Sequence, residues 1–246
     1  LMLMITGAEE VGGTDGVFHL VNNIGIKPEF VIVGDGSQRG EFHIITREKG
    51  GVWLELLAKG KSAHAARPWL GENALDKVLT AIALIKKFIG PVKSDAWRPT
   101  CNVALIETPN KTPNVIPGFA RAVLDIRFTE KLAKTPGNLI KKILSITSGV
   151  EINALAKFSL LAVNEKNRLV QQFRTAAEEV LGRKVEFGFS HAASDARYFS
   201  EKRIPLVMIG TLGANWHSEG EWVDLNSIIP LRDMVLSFLR RAFLVG

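Results

Sequence analysis

The 246-residue sequence contains a single cysteine, Cys101. No internal disulfide is therefore possible, and zinc sites built on several thiolates are excluded. The sequence also lacks an apolar run of about 18 residues, the length that a membrane-spanning helix needs. A charged-then-apolar leader with a small-residue cleavage site is absent too. From these absences we expect no transmembrane segment and a cytoplasmic location.

A dense basic run is also missing, although the formal net charge is +6. The basic residues fall in scattered pairs, such as Lys86-Lys87 and Arg240-Arg241, without interleaved aromatic side chains. Pairs of this kind are typical of solvated helix faces. We therefore expect neither nucleic acid nor a membrane as a partner.

The two ends of the chain predict an α/β domain. Residues 1–6 and 30–34 are apolar runs typical of buried strands, and 15–25 has the apolar spacing of a short helix. A strand–helix–strand order favours a parallel sheet. The same pattern of helices and buried strands returns after residue 161. Helices are predicted at 165–181, 194–202 and 227–244, and strands at 185–189 and 204–210.

The middle of the chain predicts a separate α+β domain, in which two helices cover one face of a sheet. Residues 41–46 and 52–59 alternate loosely, and Gly50-Gly51 between them suggests a hairpin. The other predicted elements are a helix at 72–89, a strand at 120–128, a helix from Thr135-Pro136 to Gly149 and a strand at 150–162. We therefore predict an α/β domain (1–46 and 161–246), mainly parallel with helices on both faces, interrupted by an α+β domain (47–160).

Three strand ends carry side chains that can bind a metal ion. Glu10 follows the first predicted strand, Asp35 follows the second, and His217 lies in a loop after the strand at 204–210. Parallel α/β sheets gather ligands at the carboxyl ends of their strands. Oxygen and nitrogen ligands suit zinc or a similar divalent ion. Taken singly, each residue is better interpreted as an exposed loop side chain, so the prediction depends on the three together.

The adjacent carboxylates Glu9 and Glu10 strengthen this interpretation, because a cation would relieve their mutual repulsion. One of them could bind the ion while the other faces a metal-bound water as general base. Among the remaining histidines, His19 and His43 are interpreted as structural. His191 is left open between a structural and a functional role.

Several motifs occur in the order seen in one enzyme family: TGAEEVGG, VGDGS, GKSAHAARPWLGENAL, NVIPGFARAVLDIR, ASDARYF and HSEGEWV. Together they resemble the co-catalytic zinc metallopeptidase and deacylase family, which includes acetylornithine deacetylase, succinyl-diaminopimelate desuccinylase, carboxypeptidase G and aminoacylase. The resemblance covers nearly the whole chain. It implies a zinc catalytic domain interrupted by a lid domain that usually dimerises, and hence a homodimer.

The resemblance also implies a reaction, which is hydrolysis of an amide bond in N-acyl amino acids or short peptides with a free carboxylate. Two divalent ions, zinc or else cobalt or manganese, would serve as cofactors. The general base would be Glu9, and His64 would polarise the scissile carbonyl, generally across the dimer interface in the partner's site. The other implied roles are metal binding by Glu10, Asp35 and His217, and substrate binding by Asn114, Ser194 and Arg197, with Arg197 holding the carboxylate.

Some of these residues can also have purely structural roles. Asn114 can be a turn residue, Asp195 with Arg197 can be an ion pair at a helix start, and His64 can cap the turn before Pro68. The alternative function is that of a non-catalytic dimerising protein that binds small carboxylates or peptides. A serine hydrolase is disfavoured, because no G-x-S-x-G motif is present and the GDGSQRG stretch lacks its second half.

The sequence departs from the family upstream of the glutamate pair. The family has two further metal ligands there, a histidine in a His-x-Asp motif and an aspartate that bridges both zinc ions, and neither has a counterpart here. Ala8 also stands where the family usually has aspartate. Catalytic zinc normally needs three protein ligands and a water. We therefore expect a fragment of a longer protein, incomplete and inactive alone.

Overall fold

A computed structural model describes residues 1–35, 40–92 and 96–244, so Ser37 of the GDGSQRG stretch lies outside the described residues. The strands are β1 (Val31–Val33), β2 (Ile44–Glu48), β3 (Gly50–Lys59), β4 (Thr100–Glu107), β5 (Phe119–Phe128), β6 (Glu151–Phe158), β7 (Leu161–Ala162), β8 (Phe187–Ser190), β9 (Leu206–Met208), β10 (Gly213–Ala214) and β11 (Trp222–Val223). The longer helices are α1 (Ala74–Ile89), α2 (Pro136–Ile146), α3 (Arg168–Leu181), α4 (Ala196–Glu201) and α5 (Ile228–Leu239). Shorter or irregular helical segments are Glu9–Val11, Thr14–Ile24, Pro68–Leu70, Leu225–Ser227 and Arg240–Leu244.

The chain forms two compact units. Unit 1 consists of Leu1–Glu48 and Leu161–Gly246, and unit 2 is Lys49–Leu160. Each unit has its own hydrophobic core. Over the ranges that the structure describes, no helix is both long enough and apolar enough to cross a membrane.

Unit 1 is built on a mixed sheet whose described strands run in the order β1-β9-β2-β7, with β8 also beside β2. The pairs β1/β9 and β2/β8 are parallel, whereas β2 is antiparallel to β7 and β9. Ile44 and Val207 pack on one face with α3 and α5, while Ile45 and Leu206 pack on the other with Thr14–Ile24 and α4. Helices on both faces confirm the α/β class, although the sheet is mixed rather than mainly parallel.

Unit 2 is a four-stranded antiparallel sheet in the order β4-β5-β3-β6. The strict alternation of β5 puts every second residue on the face that α1 and α2 cover: Ala120, Ala122, Leu124, Ile126 and Phe128. The intervening Arg121 lies on the opposite face, 2.7 Å from Glu55 and 2.8 Å from Glu107. Alternation and helical spacing in the sequence therefore predicted this layer arrangement correctly.

Several predictions of local structure are wrong. The single strand predicted at 150–162 is divided into β6 and β7, which belong to different sheets. Residues 1–6 form no strand, and Leu1, Leu3 and Ile5 are largely exposed. A strand needs a partner for its backbone groups, and none within the described ranges pairs with this segment. Nor do 41–46 and 52–59 form a hairpin, because β2 and β3 belong to different sheets. Gly50 lies inside β3, where a side chain would collide with the ring of Phe128, so this glycine allows close packing.

Candidate metal and catalytic site

The pair of adjacent glutamates lies on a compact turn shaped by left-handed residues. Ala8 (φ 64°), Gly12 (φ 100°) and Gly13 (φ 67°) flank the single helical turn Glu9–Val11. The N–H of Gly12 donates to the Glu9 carbonyl at 2.9 Å, and the N–H of Gly13 donates to the Ala8 carbonyl at 2.7 Å. Because glycine adopts positive φ at little cost, the Gly-Gly step lets the chain reverse directly after the two carboxylates.

This turn brings Glu10 next to His217. The Oε1 atom of Glu10 lies 3.2 Å from Nε2 of His217, and the side chains are 73% and 76% exposed. His217 has φ 56° in the loop between β10 and β11. Asn215 braces this loop, donating to the Gly220 carbonyl at 3.2 Å and accepting from the Ser218 hydroxyl at 2.6 Å. The two side chains thus offer one oxygen and one nitrogen donor at a solvent-accessible point.

Asp35 lies just beyond β1, at the carboxyl end of that strand. Its negative charge raises the pKa of Glu9, of Glu48 and of Asp195. Such Coulombic effects require proximity. Asp35 therefore belongs to the same group of carboxylates as the glutamate turn.

The Glu9 carboxyl is half-buried, and its pKa is raised above the ordinary glutamate value. Burial is the largest cause, followed by the charges of Asp195, Asp35 and Glu10, while Arg197 acts in the opposite sense. A carboxylate with a raised pKa is a better proton acceptor than an exposed one. A divalent cation nearby would oppose the shift.

The residues present do not by themselves complete a zinc site. Over residues 1–35, 40–92 and 96–244, no cluster of three or more histidine, cysteine, aspartate or glutamate side chains has the proximity that metal binding needs. Glu10 and His217 supply two donors, whereas catalytic zinc takes three protein ligands and a water. These side chains therefore amount to part of a metal site.

A buried glutamate that the sequence did not single out lies at the end of β2. Glu48 is 1% exposed, and its Oε2 accepts hydrogen bonds from the Ser194 N–H (3.0 Å) and the Ser194 hydroxyl (2.8 Å). Burial raises the pKa of Glu48 to about 7, although the two hydrogen bonds from Ser194 act to lower it. The only signal in the sequence is a charged residue ending an apolar strand, which is too common to be diagnostic. Ser194, a candidate for substrate contact, is itself 4% exposed.

Asp195 and Arg197 are buried at the start of α4. Asp195 is 6% exposed, and neither carboxyl oxygen has a hydrogen-bond partner among the described residues. Burial raises the pKa of this carboxyl, while Arg197, 3.5 Å from Oδ1, lowers it and Asp35 raises it further. Arg197 is 3% exposed. Its guanidinium donates to the carbonyls of Ser194 (2.7 Å) and Gly12 (2.9 Å).

His64 and Asn114 are neighbours in unit 2. The N–H of Ala65 donates to the Asn114 carbonyl at 2.8 Å. The backbone of His64 pairs with that of Val115 in an isolated antiparallel β-bridge. The N–H of Ala66 donates to Nδ1 of His64 at 3.1 Å. In the neutral imidazole the proton is therefore on Nε2, so this exposed side chain presents a hydrogen-bond donor. His64 thus braces its own turn and still has a donor to offer.

The other three histidines make local contacts. His19 contacts Asn23 at 3.0 Å, and Nδ1 of His43 lies 3.0 Å from the Glu41 carbonyl. The ring of His191 packs edge-on against Phe189, with 5.4 Å between centroids. These local contacts match structural roles for His19 and His43.

Comparison with known proteins identifies the family. Residues 46–150 match the family described as peptidase dimerisation domain. A succinyl-diaminopimelate desuccinylase from Cereibacter sphaeroides is 30% identical over 99% of this chain and 67% of its own length. The chain belongs to the zinc metallopeptidase and deacylase family. Another succinyl-diaminopimelate desuccinylase, from Wolbachia pipientis, is 28% identical over 98% of the chain.

Solved structures agree with this family fold. An aminopeptidase PepT from Bacillus cereus is 20% identical over 95% of this chain and 62% of its own, with a TM-score of 0.75. A tripeptidase from Staphylococcus aureus is 19% identical over 96% of this chain and 62% of its own, with a TM-score of 0.77. The chain spans 62% of the length of the Wolbachia relative and 67% of the Cereibacter relative. The chain therefore shares its fold with these two solved peptidases over 62% of their length.

Proposed function

We propose that this chain carries a large part of the active site of a metal-dependent amidohydrolase or peptidase. The observation that carries the proposal is the 3.2 Å distance between Oε1 of Glu10 and Nε2 of His217. The half-buried Glu9 directly precedes Glu10 in sequence. The proposed reaction is hydrolysis of an amide bond in an N-acyl amino acid or a short peptide with a free carboxylate. The relatives' names, a desuccinylase of succinyl-diaminopimelate and a tripeptidase, are compatible with these two substrate classes.

Glu9 is the proposed general base. It would accept a proton from the attacking water and return that proton to the leaving amine. The raised pKa of Glu9 suits both halves of this transfer. In the proposed dimer His64, with its proton on Nε2, would donate a hydrogen bond to the carbonyl oxygen of a substrate bound by the partner chain, as negative charge develops there. Asn114 and Ser194 remain candidates for substrate contact.

Zinc, or else cobalt or manganese, is the proposed cofactor, because Glu10 and His217 are oxygen and nitrogen donors. Two ligands hold such an ion weakly. The proposal therefore includes further ligands outside the described residues, carried by a longer form of the protein. After zinc loading and desalting, we expect elemental analysis to find well below one ion per 246-residue chain and about two per longer chain. Tight binding of two ions by the 246 residues alone would contradict the ligand count.

Two substitutions in the longer protein separate the proposed roles. Glu9→Gln should lower kcat on N-succinyl amino acids or tripeptides by about 10²–10⁴-fold while zinc content is retained. Glu10→Gln should lower the zinc content as well, and Glu151→Gln on β6 is the control that changes neither. Equal loss of zinc in the Glu9 and Glu10 variants would refute the division of roles. Zinc and substrate binding without any turnover would favour the non-catalytic alternative.

A further inference from the structure

The carbonyl oxygen of Gly12, directly after the glutamate turn, accepts two side-chain hydrogen bonds from α4. The Arg197 Nη2 donates to it at 2.9 Å, and the Tyr198 hydroxyl donates at 2.5 Å. Gly12 closes the helical turn Glu9–Val11 through its own N–H. The carbonyl of one residue thus connects the glutamate turn to two consecutive side chains that are distant in sequence.

A second contact joins the same two segments. Gly13 is buried at φ 67°, and a Cβ at this position would collide with the carboxylate of Asp195. The absence of a side chain at Gly13 therefore lets Asp195 lie directly against the backbone of the turn. Both glycines of the Gly-Gly step are in contact with the start of α4.

The geometry of Arg197 does not fit recognition of a substrate carboxylate. Bidentate pairing needs two N–H groups of one guanidinium directed at the ligand, but this side chain is 3% exposed. Its Nη1 donates to the Ser194 carbonyl at 2.7 Å, and its Nη2 donates to the Gly12 carbonyl and lies 2.9 Å from the Tyr198 hydroxyl. The guanidinium also lies over the Tyr198 ring, 4.4 Å from its centroid. Arg197 is therefore committed to backbone carbonyls, to Tyr198 and to the nearby Asp195.

We propose that Arg197 and Tyr198 are positioning residues that hold the Glu9-Glu10 turn in place through the Gly12 carbonyl. This assignment replaces the role in carboxylate binding that the sequence suggested for Arg197. The hydrogen bonds fix the turn whether or not the protein is an enzyme, but their importance for catalysis rests on the proposed function.

Proteolysis of the 246-residue chain tests the positioning role without any activity assay. A glutamate-specific protease releases peptides 1–9 and 1–10 only when the turn opens locally, and mass spectrometry follows their appearance. Tyr198→Phe keeps the ring but removes the hydroxyl that donates to the Gly12 carbonyl and accepts from Arg197. We expect release at least about fivefold faster, the factor that one lost net hydrogen bond gives. Arg197→Lys should accelerate release as well. Arg174→Gln, on α3 away from the turn, is the control and should leave the rate unchanged. An unchanged rate in both α4 variants would overturn the proposal.

The wild-type chain offers a measurement that does not depend on a variant folding. Tyr198 is the only tyrosine, so the tyrosine doublet in an ultraviolet resonance Raman spectrum reports on this hydroxyl alone. We expect the signature of a strong hydrogen-bond donor. A doublet typical of a hydroxyl that donates no hydrogen bond would contradict the contact with Gly12.

Kinetics of the longer protein separate positioning from substrate binding. For a positioning residue, Arg197→Lys should lower kcat to the same extent for substrates with a free carboxylate and for their amidated forms. A rise in KM confined to carboxylate substrates, with kcat unchanged, would restore the role in carboxylate binding. If the wild-type longer protein hydrolyses neither substrate, the proposed function fails, and the proteolysis and Raman results still decide whether the turn is held as proposed.

Discussion

At the scale of single residues, unit 1 brings together several acidic side chains that are partly or fully buried. Glu9, Glu48 and Asp195 all have raised pKa values, with burial as the largest cause in each case. The charge of Asp35 adds to all three shifts. Arg197 acts in the opposite sense and lowers the pKa of each carboxyl. The folded chain therefore favours proton uptake by this group of acids.

Glu48 should make the stability of the chain depend on pH. Its pKa is about 7 in the folded chain, against an ordinary value of 4.5, so the folded state holds a proton that the unfolded state has lost. The free energy of unfolding should therefore fall as pH rises from 4.5 to about 7, by up to about 3 kcal/mol. Glu48→Gln should flatten this part of the profile in urea unfolding at a series of pH values.

A second glutamate serves as the control for this measurement. The pKa of Glu55 is lowered by its hydrogen bond from Arg121. Its contribution to the pH dependence of stability therefore lies below pH 4.5. Glu55→Gln should shift the whole profile between pH 4.5 and 7 without changing its slope. If Glu48→Gln keeps the wild-type slope, Glu48 is ionised in the folded chain and the pH dependence has another source.

The sequence located only some of these residues. Glu10 and His217 were singled out because each follows a predicted strand, although residues 1–6, ahead of Glu10, form no strand in the structure. Glu48 was not, because its importance comes from burial against Ser194, 146 positions later in the chain. The commitment of Arg197 to Gly12 joins segments 185 positions apart. Contacts between residues so far apart in sequence depend on tertiary packing. Local patterns in a single sequence carry no signal for them.

At the scale of elements, the Gly-Gly step should be the most sensitive part of the glutamate turn. Gly13 and Gly182 have nearly the same backbone angles, φ 67° and ψ 11° against φ 65° and ψ 19°. A Cβ at Gly182 would meet nothing within 4 Å, whereas one at Gly13 would meet Asp195. Alanine in a left-handed conformation costs about 1–2 kcal/mol at either position. Gly13→Ala should cost at least about 1 kcal/mol more, because of the collision.

Urea unfolding of the two alanine variants checks this difference. Since the backbone conformations match, the strain from positive φ cancels in the comparison and the contact with Asp195 remains. Equal losses in stability would mean that the turn moves away from α4 without cost. That result would also weaken the case for a turn held by Arg197 and Tyr198.

Element prediction from the sequence succeeded where the local signals were complete. Helix α2 begins at the predicted Thr135-Pro136 step, where the Thr135 hydroxyl accepts from the Asn138 N–H at 3.1 Å. Helix α3 ends at Leu181, as predicted, and Gly182 after it has a left-handed conformation. The failures include residues 1–6, the hairpin at 41–59 and the single strand at 150–162, which is β6 and β7 in different sheets, while β4 was not predicted at all. Apolar composition predicts burial without saying which strand pairs with which.

At the scale of the whole molecule, the order of segments explains the two units. Unit 1 is interrupted by unit 2 in sequence, yet β2 and β7, on either side of the interruption, pair with each other. The register places Glu48 opposite Leu161, so the two ends of the insertion lie close together. A four-stranded sheet with two covering helices can therefore be inserted without breaking the sheet of unit 1.

Nearly all of the match to the peptidase dimerisation domain, residues 46–150, lies in unit 2, and we expect the chain to form a homodimer through this unit. The matched residues 46–150 include the edge strand β4 but not the opposite edge strand β6. On β4, Leu105 and Ile106 are 38% and 42% exposed. An exposed strand edge offers unpaired backbone groups to a second copy of the chain, and a lysine there disfavours such pairing.

Ile106→Lys should therefore convert a dimer into a monomer in sedimentation equilibrium, with little change in the unfolding of each chain. Leu155→Lys is the matched control, because Leu155 is 51% exposed on the opposite edge strand, β6. The control should remain dimeric, since β6 lies outside the matched residues. Dissociation by Leu155→Lys alone would move the interface to β6. A monomeric wild-type chain would mean that unit 2, although it matches a dimerisation domain, does not associate by itself.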